Sequence, residues 1–307
     1  MEIIRGIHNL RQKHRGCVAT IGNFDGVHLG HQAVLRLTRE RARHYSVPSV
    51  VILFEPQPLE FFANENAPAR LHRLREKLEC LESLGIDRVV CLRFNRALAD
   101  MEAQLFIERV LVQGLAVRHL IVGDDFHFGR RRQGNFTLLQ QVGSQVGFGV
   151  EATPSLTLDE YRVSSTAIRD ALQMGDLPSA ARLLGRAYRI GGHVVRGDQR
   201  GRQLGYPTAN VLLKRRVVPV RGVFAVRMHC VGEQALPGMA NIGNRPTVAG
   251  TRTQLEVHLF DVALDLYGRY IEVEFVRFLR PEQRFQSLDA LKSQLALDAG
   301  AARAALA

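Results

Sequence analysis

The sequence predicts two folded domains, an α/β domain followed by an all-β domain. The chain has 307 residues, more than one domain usually contains, so two separate cores are expected. From Cys17 to about Val150, short apolar runs alternate with helical patterns, which is typical of a parallel sheet with crossover helices. After Leu184 the helical period stops and runs with a two-residue period follow. We place the boundary near 180 to 186, which gives domains 1–183 and 184–307.

Four strands and three helices are predicted in the first domain. Strands are expected at 18–21, 50–54, 89–92 and 120–122, where short runs are rich in β-branched residues. Helices are expected near 31–44, 73–84 and 101–113, where apolar residues recur with helical spacing. Because ligands of open α/β sheets bind beyond the carboxyl ends of the strands, the segments after these strands are the first candidates for a site.

The second domain shows the alternation of antiparallel strands. Ile271, Val273 and Phe275 alternate with Glu272 and Glu274, as expected for a strand with one buried face. Gly, Pro and Asn punctuate these runs. The pattern predicts a small antiparallel barrel or sandwich, closed at the carboxyl end by a helix from about 288 to 295.

The composition is that of an ordinary folded protein, with 46% hydrophobic and 23% charged residues. No apolar run approaches the roughly 20 residues that span a bilayer, and the first residues do not form a signal peptide, so a cytoplasmic location is expected. Buried free thiols are expected, with neither zinc nor disulfides, because no CxxC spacing connects the four cysteines, Cys17, Cys80, Cys91 and Cys230.

The net charge of +11 is compatible with two classes of ligand. It suits a nucleic-acid binder or an enzyme whose substrates carry phosphates. The densest basic clusters are Arg130 to Arg132 and Lys214 to Arg216, and solvated loop charge explains them equally well. Charge alone therefore does not choose between the classes.

The segment from Ile21 to His31 predicts a phosphate-binding turn between a strand and a helix. Glycines let the backbone approach an anion, and a helix amino terminus offers free N–H groups. His28 and His31 are three residues apart, so both can face one ligand from the first helical turn, although two loop histidines can also occur by chance. The other candidate phosphate ligands are Gly22, Asn23, Phe24, Asp25, Gly26 and Gly30.

A second phosphate element is predicted where hydroxyl residues precede a helix. Ser164, Ser165 and Thr166 stand at this helix start, and Arg169 follows on its first turn. Helix capping alone accounts for the hydroxyls. The guanidinium favours an anion ligand.

Two other segments follow predicted strands of the first domain. Asp125, Phe126 and Phe128 follow one strand and are candidates for a nucleotide or flavin pocket, although buried aromatics at a turn explain the phenylalanines equally well. Glu55 and Gln57 follow another strand, and the sequence assigns no role to either.

In the second domain, two glycine-rich stretches at 191–198 and 201–210 are candidate phosphate loops, although glycine in a barrel often marks only a bend. The glycines singled out are Gly191, Gly192, Gly197 and Gly205. Thr208 and Asn210 offer the hard oxygen ligands that suit Mg²⁺. Glu256 lies on the polar face of a predicted strand, where a solvated carboxylate is the ordinary explanation.

Taken together, these motifs resemble the prokaryotic bifunctional riboflavin kinase/FMN adenylyltransferase family, over about Ile4 to Leu291. The HxGH string resembles the nucleotidylyltransferase signature, SSTAIR the SSTxIR element of FAD synthetases, and PTAN a riboflavin kinase motif. The resemblance implies a Rossmann-like nucleotidylyltransferase domain and a riboflavin kinase-like Greek-key barrel. It implies ATP and Mg²⁺ as co-substrate and cofactor, with FMN and FAD as products.

The resemblance also implies residue roles. Glu256 would be the general base of the kinase, and Thr208 and Asn210 would bind metal and nucleotide. His28, His31 and Arg169 would stabilise charge during adenylyl transfer. Residues that would contact the flavin are Phe126, Phe128, Asn241, Arg280 and Phe285.

Two alternatives stay open from the sequence. One is an adenylyltransferase that acts on another phosphate-bearing acceptor, which leaves the PTAN and Glu256 half unexplained. The other is a basic nucleic-acid-binding protein, for which the sequence offers no binding signature. We expect small-molecule substrates only, no nucleic acid, no membrane, and a monomer or weak self-association.

Overall fold

The computed structural model describes residues 1–197, 201, 204–215, 217–247, 250–262 and 264–307. Asp198, Arg202 and Gln203 of the glycine-rich stretches and Arg216 of the second basic cluster lie outside the described residues. The chain divides into two compact units. The first comprises Met1–Pro68 and Leu74–Ser164, and the second comprises Ala69–Arg73 and Ser165–Ala307.

The first unit is built on a parallel sheet. Its strands are β1 (Glu2–Arg5), β2 (Cys17–Ile21), β3 (Ser49–Glu55), β4 (Arg88–Arg93), β5 (Val117–Gly123) and β6 (Gly149–Thr153), with a two-stranded ribbon of β7 (Thr157–Leu158) and β8 (Tyr161–Arg162). Its helices are α1 (Leu29–His44), α2 (Pro58–Ala63), α3 (Leu74–Ser83), α4 (Arg96–Ala99), α5 (Ala103–Phe106) and α6 (Phe136–Val146). Short 3-10 turns lie at Ile7–Asn9, Gln12–His14, Asn64–Asn66 and Arg130–Arg132.

The order of the six parallel strands creates a topological switch point. The sheet runs β1-β4-β3-β2-β5-β6, so the chain moves outward from β2 to β4 and then returns to add β5 on the other side of β2. Every residue of β2 is buried, as expected for a strand covered on both faces. The crevice beyond the carboxyl ends of β2 and β5 is the place where such sheets bind ligands.

The four predicted strands and the first two predicted helices of this unit are confirmed, with ends that differ by a few residues. The helix predicted at 101–113 is confirmed as a helical segment, although it is not a regular α-helix throughout. It is α-helical only over Ala103–Phe106 and continues as a π-helix over Ile107–Gly114. The apolar spacing did not reveal this, because Ile107, Val110 and Leu111 are buried together in the wider turn as well.

The second unit contains a closed barrel. Its strands are β9 (Arg189–Val195), β10 (Ala209–Leu212), β11 (Gly222–His229), β12 (Leu236–Thr247), β13 (Gly250–Leu259) and β14 (Tyr270–Arg280). Every neighbouring pair is antiparallel, in the order β10-β13-β12-β11-β14-β9. Strands β11, β12 and β13 are successive neighbours, and β14 returns to lie beside β11, which is a Greek key. The helices of this unit are α7 (Ser165–Gln173), α8 (Leu177–Leu184) and α9 (Leu288–Leu306).

The barrel interior confirms the predicted alternation. Ile271, Val273 and Phe275 are buried in the core cluster, and Leu255 and Val257 of β13 join them. Side chains at the intervening positions therefore point to the outer surface of the barrel, as the two-residue period requires.

Helix α9 is longer than predicted. It begins after its cap Ser287, whose hydroxyl accepts a hydrogen bond from Ala290 N at 3.1 Å, and it continues to Leu306 instead of ending near 295. The added turns are rich in alanine, the strongest helix former, which an analysis of apolar periodicity overlooks. Ala302 is fully buried against Ala225, Met239 and Phe260 on the outer barrel face.

The prediction of buried thiols holds for Cys17 and Cys91, whereas Cys80 is half-buried and Cys230 is exposed. Burial raises the pKa of Cys17 to about 12, so this thiol is a packing residue. Among the described helices, none combines the length and apolar character needed to span a bilayer.

Candidate active sites

The loop after β2 brings His28 and His31 together at the start of α1. His28 is the N-cap of the helix, and its Nδ1 accepts a hydrogen bond from His31 N at 3.3 Å. The two imidazole rings stack with centroids 3.6 Å apart. The predicted pairing of these histidines at a helix amino terminus is therefore what the structure shows, and the site is suited to an anion.

The loop before these histidines, residues 22–28, has an unusual backbone, and we call it the histidine loop. Phe24 and Val27 have φ angles of 46° and 43°, and Gly26 has 82°, so three residues of a short loop occupy the left-handed region. Two of them are not glycine, which costs conformational energy and requires support from the surroundings. Phe24, Asp25 and Val27 are buried, which supplies part of that support.

Lys77 of α3 supports the same loop, a role that the sequence motifs did not predict. Its side chain is 1% exposed, and Nζ donates a hydrogen bond to the Asn23 carbonyl oxygen at 2.5 Å. The available signal was a lysine on the apolar face of α3, near Leu74, Leu78 and Leu81. Burying an ammonium group costs free energy unless it is hydrogen-bonded or paired. A lysine at a core position therefore indicates that its ammonium group binds a specific partner in the folded protein.

The segment after β5 lies beside the histidine loop at the switch point. Asp125 forms an ion pair with Arg162 at 2.5 Å, and both side chains are more than half exposed. Phe126 and Phe128 stack with centroids 5.5 Å apart. Phe128 is buried and packs on Phe106, so Phe126 is the more accessible of the two predicted flavin contacts.

An aromatic cluster at the carboxyl ends of β3 and β4 adds residues that the sequence analysis did not select. Phe61, Phe62 and Phe94 lie within 5.2 to 5.8 Å of one another, and Phe54 packs on Phe94 at 5.8 Å. Phe62 is nevertheless 64% exposed. Gln57 caps the helix that carries these rings, and its buried Nε2 has no hydrogen-bond partner among the described residues. An exposed ring at the ligand edge of the sheet is available to stack on a planar substrate.

The SSTAIR element spans the division between the units. Ser164 belongs to the first unit, whereas Ser165, Thr166 and Arg169 belong to the second and begin α7. Arg169 Nε donates a hydrogen bond to the Ala69 carbonyl oxygen at 2.6 Å. This guanidinium therefore ties the short segment Ala69–Arg73 to α7 within the second unit.

The second unit gathers six of the predicted kinase residues around one cavity of about 340 Å³. Asn210 pairs directly with Glu256 across β10 and β13, and Glu256 pairs with Asn241 across β13 and β12. The three polar side chains thus form a row on the outer barrel face, opposite Leu291 and Leu295 of α9. The predicted residues around the cavity are Thr208, Asn210, Asn241, Glu256, Arg280 and Phe285.

The PTAN segment is held tightly. Asn210 is buried and its Oδ1 accepts a hydrogen bond from Gln254 Nε2. A Cβ at Gly197 would lie 2.4 Å from Asn210 Nδ2, so a larger residue at this position would displace the amide. His258 Nδ1 lies 2.9 Å from the Pro207 carbonyl oxygen.

The predicted loop location of Gly191 and Gly192 is wrong. Both residues lie inside β9 and are buried. A Cβ at Gly192 would approach Val211 Cγ1 to 2.6 Å, so close packing of β9 on β10 explains this glycine. Gly205 has a φ of 85° and open space around it, so it does lie in a turn.

A second cavity, of about 420 Å³, shares Thr208 with the first. Its wall is largely apolar, with Val257 and Leu259 of the barrel, and it also contains Asp265 and Tyr267. The PTAN segment therefore lies between two cavities.

The basic cluster Arg130 to Arg132 lies on the surface. Arg130, Arg131 and Arg132 are exposed on a 3-10 turn. Within the described ranges, no three His, Cys, Asp or Glu side chains come close enough to hold a metal ion by themselves. A metal in the barrel would therefore need hydroxyl and amide oxygens, water and substrate.

An α/β unit with histidines at the switch point, joined in one chain to a barrel with two adjoining cavities, defines a two-part nucleotide-dependent transferase. The family model described as FAD synthetase matches residues 10–167, and the one described as riboflavin kinase matches residues 184–306.

The relatives cover the whole chain. The bifunctional riboflavin kinase/FMN adenylyltransferase of Escherichia coli strain K12 is 55% identical over 304 residues, which are 99% of this chain and 97% of the relative. The enzyme of that name from Pseudomonas fluorescens is 56% identical over 305 residues, with the same coverage. This chain therefore belongs to the bifunctional riboflavin kinase/FMN adenylyltransferase family, as the sequence motifs predicted.

A crystal structure supports the fold over the full length. It is described as a macrolide-efflux protein from Streptococcus pneumoniae and superimposes with a TM-score of 0.84 at 28% identity, covering 99% of each chain.

Proposed function

We propose that the carboxyl-terminal domain, 184–307, phosphorylates riboflavin with ATP to give FMN, and that the amino-terminal domain, 1–183, adenylylates FMN with a second ATP to give FAD and pyrophosphate. Membership of the family supports both activities. The observation that carries the kinase assignment is the row of Asn210, Glu256 and Asn241 on one cavity wall.

In the kinase, Glu256 is the general base. Its carboxylate accepts the proton of the terminal ribityl hydroxyl, whose oxygen bonds to the γ-phosphorus while the bond to the β-γ bridging oxygen breaks and ADP leaves. The Glu256 cavity receives the flavin, and the second cavity receives the adenosine end of ATP, with Thr208 between them. Such a reaction depends mainly on positioning and charge neutralisation.

The residues at the junction of the cavities fit Mg²⁺. Thr208 and Asn210 offer neutral hard oxygens, and the rest of a magnesium shell is usually water and substrate phosphate. Bound there, the ion would neutralise phosphate charge. Gly197 and Gly205 are assigned to phosphate loops by the sequence pattern, and Gly191 and Gly192 contribute from within β9 by allowing close strand packing.

In the adenylyltransferase, an FMN phosphate oxygen bonds to the α-phosphorus of ATP and pyrophosphate leaves. His28, His31 and the α1 amino terminus stabilise the negative charge, with Gly22, Asn23, Phe24, Asp25, Gly26 and Gly30 shaping the loop around the phosphates. Ser164, Ser165, Thr166 and Arg169 of the SSTAIR element are assigned to phosphate binding by their resemblance to FAD synthetases. Asp125, Phe126 and the exposed ring of Phe62 contact the flavin or adenine, and Phe128 supports Phe126 from the core.

The proposal includes the setting of the enzyme. We propose small-molecule substrates, a cytoplasmic location and no membrane or nucleic-acid partner. We also propose that the chain is a monomer or associates weakly. Each reaction needs only one chain and soluble metabolites.

Two variants test the assignment of the activities to the domains. Glu256→Gln should lower FMN formation from riboflavin by at least about 100-fold while FAD formation from supplied FMN stays normal. His28→Ala should lower FAD formation from supplied FMN while FMN formation from riboflavin stays normal. Retained FMN formation in Glu256→Gln would contradict the base assignment, and loss of both activities in either variant would contradict the division of labour.

A further inference from the structure

A buried ion pair joins α9 to the end of β14 at the wall of the kinase cavity. Asp298 is 4% exposed and accepts from Arg280 in a bidentate arrangement, with Nε 2.9 Å from Oδ1 and Nη2 2.7 Å from Oδ2. Gln294 Nε2 donates to the same carboxylate at 2.9 Å. Both carboxylate oxygens are therefore satisfied, as a buried charge requires.

The ion pair fixes the direction in which Arg280 can donate. Of the five N–H groups of a guanidinium, Nε and one N–H of Nη2 face Asp298, and one N–H of Nη1 donates to the Pro281 carbonyl oxygen at 2.9 Å. One N–H remains on each terminal nitrogen. The guanidinium also lies 5.8 Å from the Phe285 ring, and Arg280, Asp298 and Phe285 all line the cavity.

The charge of this wall suits an uncharged ring. Because Asp298 neutralises Arg280, this part of the wall presents polar N–H groups without a free positive charge, and Glu256 and Glu282 add carboxylates elsewhere in the lining. The isoalloxazine ring of riboflavin is planar and uncharged, and its pyrimidine edge carries carbonyl oxygens that accept hydrogen bonds. Phe285 supplies an aromatic surface beside those donors.

We propose that Asp298 is a positioning residue for riboflavin, which it serves by holding Arg280 in the orientation that binds the polar edge of the flavin ring. The inference rests on the proposed kinase function and deepens it. It extends the flavin site to the terminal helix, because Asp298 and Gln294 belong to α9.

The same helix provides a matched control. Arg303 of α9 forms a second bidentate pair, with Asp261, at 2.6 and 2.8 Å, and lies 4.4 Å from the Phe260 ring. This pair is exposed, and neither partner lines either cavity. Asp261→Asn therefore weakens the attachment of α9 with the same chemical change, away from the flavin.

The experiment measures the KM for riboflavin and the kcat of FMN formation for the wild type, Asp298→Asn, Arg280→Lys and Asp261→Asn. FAD formation from supplied FMN, a reaction of the other domain, is measured in each variant as an internal control, and thermal unfolding of each variant shows whether the barrel is folded. Arg280→Lys retains the positive charge but cannot form the bidentate pair, so it tests the same geometry if Asp298→Asn does not fold.

We expect Asp298→Asn and Arg280→Lys to raise the KM for riboflavin by about 10-fold or more, the effect of losing one hydrogen bond to a charged group, with a smaller change in kcat. Asp261→Asn should stay within about 2-fold of the wild type, as expected for an exposed pair. A riboflavin KM unchanged in the first two variants, or raised equally in all three, would overturn the inference. If the wild type forms no FMN, the proposed kinase function falls, and this inference with it.

Discussion

At the residue scale, Lys77 makes the support of the histidine loop testable. Lys77→Met keeps most of the buried aliphatic volume but removes the hydrogen bond to the Asn23 carbonyl. Because the loop then loses a charged anchor, we expect kcat/KM for ATP in FAD formation to fall by about 10-fold or more. Riboflavin phosphorylation, which uses the other unit, should be unchanged.

Lys13→Met is the control for Lys77, because Lys13 is 67% exposed and its ion-pair partner is Glu2 of β1. We expect little effect on FAD formation from this change. Equal kinetics of wild type and Lys77→Met in FAD formation would show that the loop holds its shape without the ammonium.

Glu2 predicts a pH dependence of stability. Its carboxylate accepts from Lys13 at 2.7 Å and lies 3.1 Å from His14 Nε2, and these hydrogen bonds, the first from Lys13, lower the pKa of Glu2 from 4.5 to about 2. A depressed folded-state pKa contributes stability above pH 4.5, and this contribution is lost as pH falls toward 2. Since the side chain is 38% exposed, solvent screening keeps the effect small.

Unfolding of the wild type and Glu2→Gln at several pH values measures this contribution. The variant should be less stable at pH 7, and the difference should shrink between pH 4.5 and pH 2. Glu79→Gln, which breaks an exposed pair with Arg75, is the control. A stability difference that does not depend on pH would contradict the assignment.

The candidate site residues that the sequence could select are those that lie within short motifs. His28 and His31 share one helical turn, and Asn210 and Glu256 lie in recognisable motifs. Lys77 and Asp298 could not be predicted, because their roles depend on contacts with residues distant in sequence or on the wall of a cavity. Phe128 is buried and Phe126 is more accessible, a difference in exposure that the sequence does not reveal.

At the element scale, the close packing of β9 on β10 predicts the outcome of a substitution. In Gly192→Ala the new methyl group would meet Val211 Cγ1 at 2.6 Å and the Leu212 carbonyl oxygen at 2.7 Å. Overpacking of this kind costs about 1–3 kcal/mol in the free energy of unfolding. Kinase activity should be lost in proportion to unfolding, with an unchanged KM for ATP in the folded fraction.

Gly300→Ala, in the same unit, should have the opposite effect on stability. Gly300 lies in α9 with open space around its Cα, so alanine should stabilise the helix by about 0.5–1 kcal/mol. Chemical denaturation measures both variants. Normal stability of Gly192→Ala together with a raised KM for ATP would favour a direct phosphate role for Gly192.

Elements with a long or strongly periodic pattern were predictable, and the others were not. The strands β2 to β5 and the alternating strand β14 were predicted because their burial follows from one or two covered faces. The sequence did not predict the alanine-rich end of α9 or the π-helical form of the segment after α5, because neither feature changes the spacing of the apolar residues. Four-residue β1 and α4 are too short to carry a pattern.

At the scale of the whole molecule, the two units carry reactions that follow one another. The kinase product FMN is the substrate of the adenylyltransferase, and each step consumes one ATP. The family models match the two regions in this chain at 10–167 and 184–306, and each region contains its own set of polar residues around a ligand edge or cavity. Two separately built sites in one chain therefore account for both halves of the motif pattern.

The most direct test follows flavins over time after the purified chain is mixed with riboflavin, ATP and Mg²⁺, with separation by chromatography. FMN should appear first and FAD should follow as FMN accumulates, and omission of ATP should leave riboflavin unchanged. Formation of FMN without FAD would contradict the adenylyltransferase assignment, and riboflavin that stays unchanged in the complete mixture would contradict the account as a whole.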